Sequence, residues 1–192
     1  TAITNEDPAV CAETTEALKA TITVPTLRMN SMDLFVPFDR DDFDQAMDLI
    51  PTSVSAEWRD ARDALAASEE PVDTTFAKWS LRRTGELHAA GAPIAAGTDT
   101  PIGWSIPGYS LHTELEQYVE VGMTPLEALH SATAKPAEFF GLENEMGQIK
   151  AGFLADAVLL SANPMDDIRN PRSIEAVIHQ GKLLSRADLN QL

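Results

Sequence analysis

Three side chains in the second half of the sequence have the type and spacing to do chemistry: Asp99, Trp104 and His112. Asp99 ends GAPIAAGTD, where a run of small apolar residues gives way to Thr100 and the stop signal Pro101. A carboxylate at such a tip can ligate a divalent cation or take a proton from water. In parallel α/β barrels the C-terminal ends of the strands carry the catalytic groups. The competing assignment is an Asx-turn, which Asp also makes in this setting. Trp104, in the loop PIGWSIPGY, can wall a pocket or cover a hydrophobic edge. His112 sits in the first turn of the next helix, one residue off its apolar stripe. The positive end of that helix would lower its pKa and favour the neutral imidazole. The plainer alternative is an exposed polar residue. His88, His130 and His179 read as surface or structural side chains.

The elements that must position these residues follow from periodicity. Leu87 to Ala90 ends a helix, with Gly91 as a C-cap that tolerates positive φ. Residues 93–96 read as a strand buried on both faces, and Gly97 lets backbones come close. Upstream, residues 7–20 form a helix that Asp7 can cap, and residues 21–27 (TITVPTL) form a strand with Thr26, Arg28 and Asn30 near its tip. Helix then strand, repeated at residues 74–96, predicts αβ units and a parallel sheet. The helix over residues 71–90 places Phe76, Trp79 and Leu87 on one face. That over residues 110–121 places Leu111, Leu115, Tyr118 and Val119 on another. Thr124-Pro125-Leu126-Glu127 is a capping box with Pro at the first helical position, and its helix turns Leu126, Leu129 and Ala132 inward. Phe139 and Phe140 are expected to pack inward from a short helix between Pro136 and Gly141.

Residues 31–70 are an acidic insertion with two short helices. Phe43, Met47 and Ile50 face inward on one, and Trp58, Ala61 and Leu65 on the other. Asp39, Asp41, Asp42 and Asp44 lack the central Gly and terminal Glu of a calcium loop, so a solvated helix start is the reading. From Glu143 the character changes to short β segments: residues 157–160, residues 174–178, a turn at Gly181 and residues 182–185. The division expected is a barrel-like part over residues 1–142 and a small β segment over residues 143–192.

At 192 residues and 44% hydrophobic content the chain can bury a sizeable core. Its net charge of -16 argues against nucleic acid and anionic membrane as partners. Cys11 is the only cysteine, so an intramolecular disulfide is excluded.

Five segments, in one collinear order over about half the chain, carry a family resemblance: LHAAGAPIAAGTDTP, SLHTELEQYVEVGMTPLEALHSAT, PAEFFGL, MGQIKAGFLADAVLLSANPMDDIRN and IEAVIHQGKLL. They resemble the C-terminal part of metal-dependent amidohydrolases, in the branch of imidazolonepropionases and prolidase-like Xaa-Pro dipeptidases. VPTLRMN resembles that family's seventh barrel strand. The resemblance implies an α/β fold, the C-terminal portion of a (β/α)8 TIM barrel with part of a small β-sandwich. It implies one or two divalent metals, usually zinc, at the barrel mouth, with Asp99 as metal ligand and as the group that handles the proton of the attacking water. Trp104 and His112 would then face the substrate. That substrate would be a small molecule with an amide or peptide-like C–N bond: an Xaa-Pro dipeptide, an N-acyl amino acid or a cyclic amide. The family's His-x-His pair and its bridging Lys or Glu have no counterpart in this sequence. The expected partner is therefore a missing N-terminal half of the same protein, with homo-oligomerisation also open. The alternative reading is a non-catalytic structural or assembly module of the same fold.

Overall fold

Two short apolar segments lie side by side at the centre of the first part of the chain. Thr23 bridges Ile94 in parallel. The Thr23 N–H donates to Pro93 O at 2.9 Å, and the Ala95 N–H donates to Thr23 O at 3.0 Å. This is the parallel pairing expected from sequence, confined to one bridge. The computed structural model describes residues 3, 6–35, 44 and 46–191. Phe43, Asp39, Asp41 and Asp42, assigned above to the insertion, lie outside the described residues.

The segment expected as a strand over residues 21–27 stops early. Thr26 has φ of 51°, and the chain turns at once into helix α2, Leu27–Asn30. A left-handed Thr cannot continue a pleated strand. Before it, α1 (Pro8–Leu18) starts as its sequence dictates: the Asp7 side chain accepts from the Ala9 N–H, and Pro8 fills the first turn. After α2 come two 3-10 turns, Met32–Phe35 and Met47–Leu49, and helix α3, Thr52–Ala66.

Helix α4, Thr75–Ala89, leads into the central segment, and the bonds Gly91 N–H to His88 O and Ala92 N–H to Leu87 O close its end. It buries Ala77, Ser80, Thr84 and Leu87. Of the face expected from sequence only Leu87 is buried. Phe76 is exposed and stacks on half-buried Trp79, whose indole N–H donates to Glu6 at 2.6 Å. The small side chains face the core because α4 packs closely: a Cβ on Gly85 would meet Val121 O at 2.8 Å.

Helices α5 (Ser110–Glu120), α6 (Pro125–Ser131) and α7 (Ala134–Phe139) follow. Both arms of the Thr124–Glu127 capping box form at α6. Leu129 and Ala132 pack partly buried against the core, whereas Leu126 is exposed. The inward packing expected of Phe139 and Phe140 is overturned: they are 64% and 71% exposed and meet each other edge to face. The short α7 spends its inner face on Ala137 instead.

Strands β1 (Ala157–Leu160), β2 (Ile174–His179) and β3 (Lys182–Ser185) form one antiparallel sheet in the order β1-β2-β3. His179 pairs with Lys182 across Gln180 and Gly181, both at positive φ. That is the geometry of a two-residue turn matched to strand twist. Asp156 supports it by accepting from the Gln180 N–H at 2.7 Å. Helix α8 (Arg186–Leu189) follows β3.

The main core joins Leu27, Leu87, Ile94, Leu115, Tyr118 and Met123 to Ile168 from the C-terminal part. A smaller core of Ala46, Met47 and Ile106 carries Trp58, Trp104 and Tyr109 against it. Leu65, expected inward, is exposed on α3. Among the described residues no helix is long and apolar enough to cross a membrane.

Candidate functional site

The backbone is most unusual where the two central segments end. Among the described residues four that are not glycine have positive φ. Gln180 belongs to the hairpin turn, and the other three are Thr26, Asp99 and Trp104. Backbone in this region is costly for such side chains and tends to cluster at functional sites. Asp99 is exposed, four residues past the last of the buried residues Ala92, Ile94 and Ala95. Gly97, two residues before it, lets the neighbouring segment come close: a Cβ there would lie 2.6 Å from Val24 Cγ1.

The loop that follows is tied down from within. Thr98 and Thr100 hydroxyls meet at 3.0 Å, and Thr100 Oγ1 donates to Ser105 O at 3.3 Å. The Asp99 carbonyl accepts from the Ile102 N–H at 3.0 Å. Ser105 and Ile106 are buried, and the Ile106 N–H donates to Ser110 Oγ at 2.7 Å. Trp104 packs half-buried with Tyr109 and Trp58 on the smaller core. Of the two readings left open by the sequence, the cover over an apolar edge therefore describes at least part of its surface.

His112 is half-buried, edge-on to Tyr109 with ring centres 6.1 Å apart. Burial, and then the nearby Arg172 guanidinium, hold its pKa down at about 4. The imidazole is thus neutral at pH 7, as expected from sequence, with burial and Arg172 as the causes in place of the helix end. Its Nδ1 is buried with no hydrogen-bond partner among the described residues. Arg172 itself stacks over Tyr109 at 5.4 Å, pairs with Glu116 and donates to Thr113 Oγ1 at 3.2 Å. Tyr109, which meets His112, thus packs on the same small core as Trp104, while Asp99 stands at the other end of the same loop.

The residue that sequence reasoning missed is Glu114. It is 0% exposed, and its two carboxylate oxygens accept from the Leu27 and Arg28 N–H groups at the start of α2. Burial pushes its carboxyl up to about 7, against the pull of those two amides, Tyr118 and Arg28. A signal was present: Glu114 lies three residues after Leu111 and four before Tyr118, on the stripe that should be apolar.

Residues 78–184, more than half of the chain, match the Amidohydrolase family. The chain belongs to that family. Among amidohydrolase relatives, ochratoxinase of Aspergillus niger is 40% identical over 99 residues, 49% of this chain and 20% of that protein. Imidazolonepropionase of Rubrobacter xylanophilus is 43% identical over 77 residues, 40% of this chain and 18% of that protein. These matches span about a fifth of the curated relatives' length. The crystal structure of a Xaa-Pro dipeptidase with bound methionine superposes with a TM-score of 0.61 at 24% identity, covering 86% of this chain and 35% of that one. That likeness is one of fold, of the TIM-barrel type.

Proposed function

We propose that this chain is the C-terminal portion of a metal-dependent amidohydrolase that cleaves an amide or peptide-like C–N bond in a small substrate. Residues 1–142 would supply the last part of a (β/α)8 barrel and residues 143–192 a segment of a small β domain. The observation that carries the reading is Asp99, an exposed carboxylate on strained backbone at the tip of a buried segment, inside the region that matches the family.

A divalent cation, zinc on this reading, would take Asp99 as one ligand. Among the described residues no three His, Cys, Asp or Glu side chains come together as a metal group. The residues present therefore fit a single ligand position, and the other ligands would come from an N-terminal half of the same protein. When bound, such a metal acidifies water towards neutral pH. Asp99 would accept the proton of the attacking water and return it to the departing amine. His112, neutral at pH 7, would offer one hydrogen bond through an imidazole nitrogen. Trp104 would give the flat apolar wall that suits a proline ring or a cyclic amide. Xaa-Pro dipeptides, N-acyl amino acids and cyclic amides are the substrate classes to assay.

The test is Asp99→Asn in the protein that contains the remaining strands. Circular dichroism should be unchanged and turnover should fall at least about 100-fold, the range of a lost proton-transfer group. Turnover within tenfold of the parent overturns the assignment. A parent protein that hydrolyses none of these substrates, with or without zinc, supports the non-catalytic reading instead.

A further inference from the structure

We infer that Glu114 is a positioning residue that fixes both loops at the ends of the paired segments, through the backbone of Leu27 and Arg28 and, beyond it, the Trp104 carbonyl. The inference rests on the hydrolase reading only where turnover is concerned.

The geometry starts at Thr26. An ordinary helix start uses the side chain of its first residue to satisfy the orphan N–H groups. Thr26 does not: at φ of 51° its side chain makes no cap, its hydroxyl donates to Pro25 O at 2.8 Å, and its oxygen accepts from Asn30 Nδ2 at 3.2 Å. The task passes to Glu114, distant in sequence and rooted in α5. Oε1 takes the Leu27 N–H at 2.9 Å and Oε2 takes the Arg28 N–H. With both oxygens engaged, the turn that follows left-handed Thr26 has one orientation relative to α5.

Arg28 then carries that orientation onward. Its backbone is held by Glu114, and its guanidinium Nη2 donates to Trp104 O at 3.2 Å. Trp104 is itself at positive φ, in the loop that begins at Asp99. One buried carboxylate is thereby coupled to two of the strained residues, Thr26 through the Leu27 amide that follows it and Trp104 through Arg28. Burying a carboxylate for stability alone is a poor trade, since an apolar residue of similar volume is often as stable. Fixing a geometry is the better-supported use, and sub-ångström placement of reacting groups is what catalysis requires.

The test is hydrogen exchange at peptide resolution on the longest form of the protein that folds, with Glu114→Gln and Arg28→Lys. Glu114→Gln keeps the shape but aims an NH2 group at one of the two amides. Exchange at Leu27 and Arg28 and across residues 100–109 should speed at least tenfold, with β2 and β3 unchanged. Arg28→Lys keeps the backbone anchor and loses the reach to Trp104 O, so only residues 100–109 should speed. Unchanged exchange in both loops, or equal acceleration in β2 and β3, overturns the inference. If Glu114→Gln does not fold, Arg28→Lys decides: faster exchange over residues 100–109 supports it, and no change overturns it. Where the parent is active, Glu114→Gln should lower kcat at least tenfold with KM within threefold. A raised KM at full kcat overturns the positioning role. An inactive parent defeats the hydrolase reading and leaves the exchange result to decide this one.

Discussion

The two β regions of this chain differ in how far each must reach for a partner. In the C-terminal sheet, His179 meets Lys182 across a two-residue turn, and every strand pairs with its neighbour in sequence. In the N-terminal part Thr23 meets Ile94 in parallel, with the insertion and a helix between them. Local antiparallel pairing closes a small loop, whereas parallel pairing needs a long crossover. The local sheet leaves Val158, Leu159 and Leu183 exposed. The parallel pair makes one bridge and is completed by polar groups brought from helices. The Ala96 N–H donates to Ser131 O at 2.8 Å, Tyr118 Oη donates to Ala95 O at 3.0 Å, and Glu114 takes the start of α2. A region short of ladder bonds is finished by a helix carbonyl and by buried side chains.

The largest test of that contrast is Leu27→Ala. Leu27 is fully buried at the junction of α2 and the main core. Its loss should cost about 2–5 kcal/mol by urea unfolding. A cost below 1 kcal/mol would mean that the parallel region is no more demanding than the sheet. Next comes Gly97→Ala, whose methyl would sit 2.6 Å from Val24 Cγ1, so that the exposed Val24 side chain must turn aside or the two segments must part. We expect about 1–3 kcal/mol, together with loss of exchange protection at the Ala95 amide. Retained protection would show that the bridge is not what Gly97 protects.

Two titrations sharpen the comparison, with opposite signs. Glu114 has its carboxyl raised from 4.5 to about 7 by burial. The folded state therefore holds its proton more tightly. The stability this lends is complete below pH 4.5 and is lost as pH rises through 7. His112 is held down from 6.5 to about 4 by burial and Arg172. Its contribution is complete above pH 6.5 and is lost as pH falls through 4. Urea midpoints between pH 4 and 8 should show Glu114→Gln flattening the alkaline loss and His112→Gln flattening the acid loss. Identical pH profiles for parent and both variants would remove these groups from the account. The smallest effect belongs to Phe139→Ser with Phe140→Ser. Both rings are exposed, so stability should move by less than about 0.5 kcal/mol each.

What the sequence made legible follows the same division. The strands of the C-terminal sheet, the Gly181 turn and the Thr124–Glu127 box depend on neighbours a few residues away, and each is where the sequence puts it. The central segment at Ile94 was readable from small apolar residues between Gly91 and Gly97. The early end of its partner was not, because Thr26 turns left-handed there and the amides that follow are met by a carboxylate from another helix. Likewise the face of α4 was assigned to its largest side chains, while close helix packing selected Ala77, Ser80 and Thr84. The exposed position of Asp99, past the end of the small apolar run, was also legible. The burial that neutralises His112 was not, since Arg172 and Tyr109 reach it from other elements.

Ile168 gives the chain an order in time. Among the described residues it is the one C-terminal side chain buried in the main core. A ribosome that has just finished α7 has produced Leu27, Leu87, Leu115 and Tyr118, but not the residue that closes the cluster around them. Segments emerge at about 5–20 residues per second, so the core waits seconds for its last member. Through that interval Leu27, which α2 brings to the core, lacks the last of its buried apolar companions.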